Sequence, residues 1–157
     1  MVKSYSELVV WQRAMELAEM VYALSTGFPS SERFGLTAQI RRAVISVPSN
    51  IAEGHERRSR KEYRRFLTIA CGSLAELETQ LLLCVRVGLV KESAIETSMA
   101  HADEVGRMLR AIERRLRPAR DVGEEQMSYE LGEADALLSP QPSALSPPSG
   151  LERSGVR

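Results

Sequence analysis

The stretch Phe66-Leu67-Thr68-Ile69-Ala70-Cys71-Gly72-Ser73-Leu74-Ala75-Glu76-Leu77-Glu78-Thr79-Gln80-Leu81-Leu82-Leu83-Cys84 decides the fold. Within it Phe66, Ala70, Leu74, Leu77, Leu81 and Cys84 recur at spacings of three and four, which places all six on one face of an α-helix. Ser59-x-x-Glu62 supplies a capping box at its start and Gly88 a stop at its end.

The same repeat continues on either side. Upstream, Leu36, Ile40, Val44, Val47 and Ile51 form the stripe of a second helix, which Ser30 or Ser31 can cap. Pro48 should bend this helix because it lacks a backbone donor, and Gly54 is expected to end it as a C-cap. Further upstream, Val10, Ala14, Leu17, Val21 and Leu24 mark a first helix over about Ser6–Thr26. Ser4-x-x-Glu7 opens it as a second capping box, and Gly27-Phe28-Pro29 ends it. Downstream, Ile95, Met99, Ala102, Val105, Leu109, Ile112 and Leu116 define a fourth helix from about Glu92, closed by Pro118. No segment alternates like a strand. Short connections between consecutive helices favour antiparallel neighbours, so the fold class is all-α, an up-down-up-down four-helix bundle over residues 1–120. Beyond it, 121–157 loses the apolar repeat and becomes Pro/Ser-rich at Ser139–Ser149, which reads as a mostly disordered tail.

A chain of 157 residues and 17.5 kDa, 43% apolar and 27% charged, can bury one core. It has no run of 18 apolar residues, which argues against a membrane partner, and its start shows no signal-peptide pattern. Two cysteines, Cys71 and Cys84, are too few for a disulfide scaffold. The expected location is cytoplasmic.

The formal net charge of zero is a cancellation. Residues 121–157 hold two arginines against seven acids, leaving −5, while residues 1–120 hold nineteen Lys+Arg against fourteen acids, leaving +5. A basic body joined to an acidic tail is therefore expected, and the tail could compete with a polyanion for that body.

Catalysis has no visible carrier. Neither His55 nor His101 has a glutamate three residues before it, as a di-metal bundle site requires. Cys71 and Cys84 fall on different sides of one helix, and no Gly-rich phosphate loop or nucleophile elbow occurs. The expectation is a non-enzyme without metal or cofactor.

The cations are more informative. Arg57, Arg58, Arg60, Lys61, Arg64 and Arg65 crowd nine residues, and Arg107, Arg110, Arg114 and Arg117 form a stripe on the fourth helix. An up-down-up-down bundle brings the start of helix 3 and the end of helix 4 to one pole. A solvated face would explain the stripe, since cations suit a helix C-terminus. It explains the first cluster poorly, because cations at a helix N-terminus oppose the dipole. The pattern favours polyanion binding, with arginine suited to bidentate phosphate contact. Tyr63, within the cluster, is either a packing residue or a base-stacking one. On helix 2, Gln39, Arg42, Ser46, Asn50 and Glu53 line up beside the apolar stripe, and Arg42, Asn50 and Glu53 are expected to form a polar network at a subunit interface.

Leu8-Val9-Val10-Trp11-Gln12, Phe28-Pro29, Gln39-Ile40-Arg41-Arg42-Ala43 and Ser49-Asn50-Ile51-Ala52-Glu53-Gly54 together resemble the bacterial four-helix-bundle proteins encoded in 23S rRNA intervening sequences. Arg58-Ser59-x-x-Glu62, Phe66-Leu67-x-Ile69-Ala70 and Gly72-Ser73-Leu74-x-Glu76-Leu77-Glu78 extend the likeness, which spans roughly residues 5–117. The resemblance implies a homopentameric ring. It also implies kinship with the accessory proteins of diversity-generating retroelements, basic pentamers that bind nucleic acid and partner a reverse transcriptase. The expected partners are thus other copies of the chain, RNA or DNA, and a reverse transcriptase. The alternative to direct nucleic-acid binding is a protein-interaction scaffold.

Overall fold

The computed structural model describes residues 4–117. The tail expected over 121–157 lies outside them. Four helices run in order, α1 Val9–Thr26, α2 Leu36–Glu56, α3 Arg60–Arg86 and α4 Glu96–Leu116, with short 3-10 turns at Tyr5–Glu7, Ser30–Glu32 and Glu92–Ala94. Each packs on its two neighbours, α1 on α2 and α4, α3 on α2 and α4, and the α2–α3 seam is the most extensive. Among the described residues there is no strand. The all-α four-helix bundle is therefore as expected.

The apolar stripes meet in one core. Leu17, Val21, Ile40, Val44, Val47, Ile51, Leu67, Leu77, Leu81, Val105 and Leu109 are fully buried. Burying each such side chain contributes about 1.5–3 kcal/mol. By length and composition α3 could also cross a membrane, contrary to the reading from apolar runs. The difference arises because its inner face fills the core while Ile69, Leu82 and Leu83 add apolar surface outside.

Four local expectations need correction. Ser30 and Ser31 lie in the 3-10 turn at Ser30–Glu32 and do not cap α2, whose Leu36 N–H instead donates to the Glu32 carboxylate at 3.1 Å. Ser4 caps the 3-10 turn at Tyr5–Glu7, accepting from the Ser6 N–H at 3.3 Å, so the Ser4-x-x-Glu7 box does not open α1, which begins at Val9. The fourth helix starts at Glu96, after its own 3-10 turn. Gly54 does not end α2; it is buried inside a helix that runs on to Glu56. The reason is steric. A Cβ at Gly54 would lie 2.7 Å from the Phe66 Cβ and 3.0 Å from the Tyr63 ring, so glycine there allows α2 and α3 to cross closely.

Pro48 sits buried within an unbroken α2. The Ser49 hydroxyl donates to the Ile45 carbonyl at 2.8 Å and the Asn50 amide to the Ser46 carbonyl at 2.7 Å, reinforcing the turn where proline removes a donor. At the other end of α3, Gly88 takes a φ of +77° and turns the chain toward α4.

Candidate nucleic-acid interface

The site grows out of the α2–α3 corner. Arg57 caps α2, Arg58 takes a left-handed φ of 51°, and Ser59 begins α3 by accepting the Glu62 N–H at 3.4 Å. The Ser59-x-x-Glu62 start read from the sequence is thus present. A non-glycine residue in the left-handed region is uncommon and mildly strained. The tight reversal keeps Arg57, Arg58, Arg60 and Lys61 together, all exposed.

The α4 end closes against this corner. The Arg60 guanidinium donates to the Arg115 carbonyl at 3.3 Å, and the Thr68 hydroxyl donates to the Glu113 carboxylate at 2.9 Å. The start of α3 and the end of α4 therefore share one pole. Arg114 and Arg117 belong to that pole, whereas Arg107 lies ten residues before Arg117, about 15 Å down the helix. The stripe therefore runs away from the pole along α4.

The cations differ in what already holds them. Arg57 pairs with Glu53, Arg65 with Glu62 at 3.4 Å, and Arg107 with Asp103 at 3.5 Å. Arg57 and Arg65 also stack on the Phe66 ring, 5.5 and 5.7 Å from its centre, which fixes their planar heads at the surface. Arg64 and Arg117 have contacts of their own. Arg110 lies over Gly106 and close to Glu78 and Cys71. Arg58, Arg60, Lys61, Arg110 and Arg114 have no ion pair with a carboxylate among the described residues.

Tyr63 is half-buried, with its ring against the Gly54 backbone and edge-on to His55 at 6.1 Å. Burial pushes its hydroxyl pKa up. This is the packing role, and it limits stacking on a base. His55 was missed as part of this site. Its position just after Gly54, one residue from the basic run, was the available signal.

The Arg42–Asn50–Glu53 set does not join up inside one chain. Asn50 donates to Ser46, whose hydroxyl meets that of Ser73 at 2.8 Å, while Glu53 goes to Arg57. Arg42 is exposed and makes no hydrogen bond or ion pair with either. Serines thus form the polar contact between α2 and α3, and Arg42 is left for the outer surface.

Elsewhere, burial raises the thiol pKa of both Cys71 and Cys84, which disfavours a reactive thiolate at either. Among the described residues no three His, Cys, Asp or Glu side chains gather into a metal-holding group.

These features define a small all-α bundle protein with a cationic pole. The chain matches the family described as 23S rRNA-intervening sequence proteins over residues 6–111, and it belongs to that family. Its fold is similar to the 1.70 Å crystal structure of a protein of unknown function from the S23 ribosomal protein family of Bacteroides thetaiotaomicron VPI-5482. That likeness has a TM-score of 0.60 and 25% identity, and it covers 67% of this chain and 98% of the other. Among curated proteins none matches.

Proposed function

We propose that the protein is a non-enzymatic, homo-oligomeric nucleic-acid-binding protein, with RNA as its first ligand, that works through the cationic pole. The observation that carries this reading is the Arg60–Arg115 contact. It joins two arginine clusters 55 residues apart in sequence, and Arg58, Arg60, Lys61 and Arg114 remain there without a carboxylate among the described residues. Unpaired cations gathered on a rigid corner bind phosphates at little further ordering cost. Binding follows charge more than sequence, and neutralising four phosphates makes affinity fall about a hundredfold between 50 and 200 mM salt. Fluorescence anisotropy with a structured RNA measures that slope, and a flat profile would discard the mechanism.

Self-association has its own support. Between α1 and α2 lies an apolar groove of about 610 Å³ lined by Trp11, Met15, Tyr22, Ile45 and Pro48. Leu82, Leu83 and Val87 form separate exposed apolar surface on and just beyond the end of α3. Two different apolar surfaces suit head-to-tail contact between copies, which closes into a ring when the rotation allows. The homopentamer is the assembly we infer, with Arg42, Asn50 and Glu53 near its contacts. Light scattering should then give five times the chain mass of 17.5 kDa, and Ile45→Asp should lower it without unfolding the bundle. A monomeric native chain would end the ring proposal.

The same apolar surfaces favour a second reading, a scaffold that docks another protein, such as a reverse transcriptase with its RNA. Capture of that protein after nuclease treatment, with no RNA affinity of the purified chain, would select it.

A further inference from the structure

Within the cationic surface, the α2–α3 corner forms an open pocket of about 150 Å³ lined by Gly54, His55, Arg58, Ser59, Arg60 and Tyr63. Its chemistry is unusual for a packing defect. Two of its side chains carry polar atoms sealed from water with no hydrogen-bond partner among the described residues, the Tyr63 hydroxyl and His55 Nδ1. His55 Nδ1 has the Glu56 carboxylate 3.6 Å away, too far for a hydrogen bond. Two more lining residues, Arg58 and Arg60, are arginines without a carboxylate among the described residues, and Arg58 itself holds a left-handed backbone. Buried polar groups left unpaired are costly, and a hydroxyl and an imidazole N–H can both be satisfied by a partner that accepts hydrogen bonds. The arginines require the same partner to be an anion.

We propose that this corner pocket is a phosphate subsite, in which one phosphate group accepts hydrogen bonds from the Arg58 and Arg60 guanidiniums and, after a small side-chain movement that uncovers them, from the Tyr63 hydroxyl and the His55 imidazole. The inference deepens the nucleic-acid reading, on which it rests for the source of the phosphate. The small volume suits a single phosphate group with its strand lying outside along the pole. Arg60 is already oriented by its bond to the Arg115 carbonyl, so the end of α4 helps to set the subsite.

The chain's two histidines provide a built-in control, because His55 lines the pocket and His101 lies on the α1–α4 seam. Inorganic phosphate titrated into the full chain should move the His55 ring resonances saturably and leave those of His101 in place. Tyr63→Phe removes a hydroxyl that has no partner among the described residues. It should therefore keep or raise the melting temperature while weakening phosphate binding about tenfold. Arg58→Gln should weaken it comparably. Equal shifts at the two histidines, or undiminished affinity in Tyr63→Phe, would overturn the subsite. Competition with one RNA carrying either a 5′-phosphate or a 5′-hydroxyl end then identifies the source. A strong preference for the phosphorylated end assigns a terminal phosphate, equal competition by both assigns the backbone, and RNA that binds the chain without displacing phosphate overturns the subsite's place in RNA binding. The parent reading fails separately. Salt-dependent RNA binding with no response at His55 removes only the subsite, whereas phosphate seated at His55 without RNA affinity removes the nucleic-acid role.

Discussion

The α1–α4 seam and the α2–α3 corner are both rich in charge, yet they handle it in opposite ways. On the seam, Arg13 faces Glu16 at 2.7 Å and Glu104 at 3.4 Å, and His101 meets the same Glu16 at 3.0 Å. The set is closed on itself. At the corner, Arg58, Arg60, Lys61 and the neighbouring Arg114 meet no carboxylate among the described residues, although Glu53 and Glu62 stand within a few residues and pair with Arg57 and Arg65 instead. Charge that is matched within the fold ties helices together. Charge that is left over is free for an outside anion, and a count of arginines alone cannot separate the two.

The contrast is broken most directly by removing each set in turn. Replacing Arg58, Arg60, Lys61 and Arg114 together with alanine should reduce RNA affinity at least a hundredfold, since about four counterion-releasing contacts are lost. Arg13→Ala on the seam should change RNA affinity less than about twofold, because its charge is already spoken for. Anisotropy titrations at one fixed salt concentration compare them. Similar losses from both variants would mean that position in the fold does not matter and only total charge does.

The next effect concerns the rigidity of the corner. Gly54→Ala places a methyl against the Phe66 Cβ, where neither backbone can yield easily, so α2 and α3 must separate. We expect a loss of about 1–3 kcal/mol in chemical denaturation. RNA affinity should fall too, because the arginines that Phe66 and Tyr63 position would shift with α3. Full stability in this variant would show that the close crossing is not what holds the corner.

A smaller effect separates backbone strain from charge at one residue. Arg58→Gly relieves a left-handed conformation and should raise stability by a few tenths of a kcal/mol to about 1 kcal/mol, while weakening RNA binding. Opposite signs in the two measurements are the signature of strain kept for function. A parallel loss of both would assign Arg58 a structural role.

Much of this was legible in the sequence because helix periodicity reports burial. Leu67, Leu77 and Leu81 lie where a single face demands them, and Ser59 with Glu62 marked the start of α3 correctly. The shared pole followed from topology alone. The errors occurred where local signals compete with tertiary contact. Gly54 resembles a stop because glycine usually ends helices, yet here it serves the Phe66 crossing, which only the packed pair reveals. Pairing was invisible for the same reason, since Arg57 and Arg58 are neighbours of one chemical type and only geometry gives Glu53 to the first. The Ser46–Ser73 contact spans 27 residues and leaves no local trace.

The weakest expected effect belongs to the seam, and it tests whether matched charge is purely structural. Hydrogen bonding from Arg13, then from His101, holds the Glu16 carboxyl below its ordinary value of 4.5. A group whose folded pKa is depressed contributes stability above its unfolded value and loses it as pH falls through the folded one. Native protein should therefore lose a small part of its stability on acidification below about pH 4.5, over and above what Glu16→Gln loses. The carboxylate is well exposed, so solvent screening keeps the difference small, and added salt should shrink it further. RNA affinity near neutral pH should be the same in both proteins. Matching acid profiles would leave the Arg13–Glu16–His101 tie without energetic weight, and altered RNA affinity would mean that the seam reaches the pole after all.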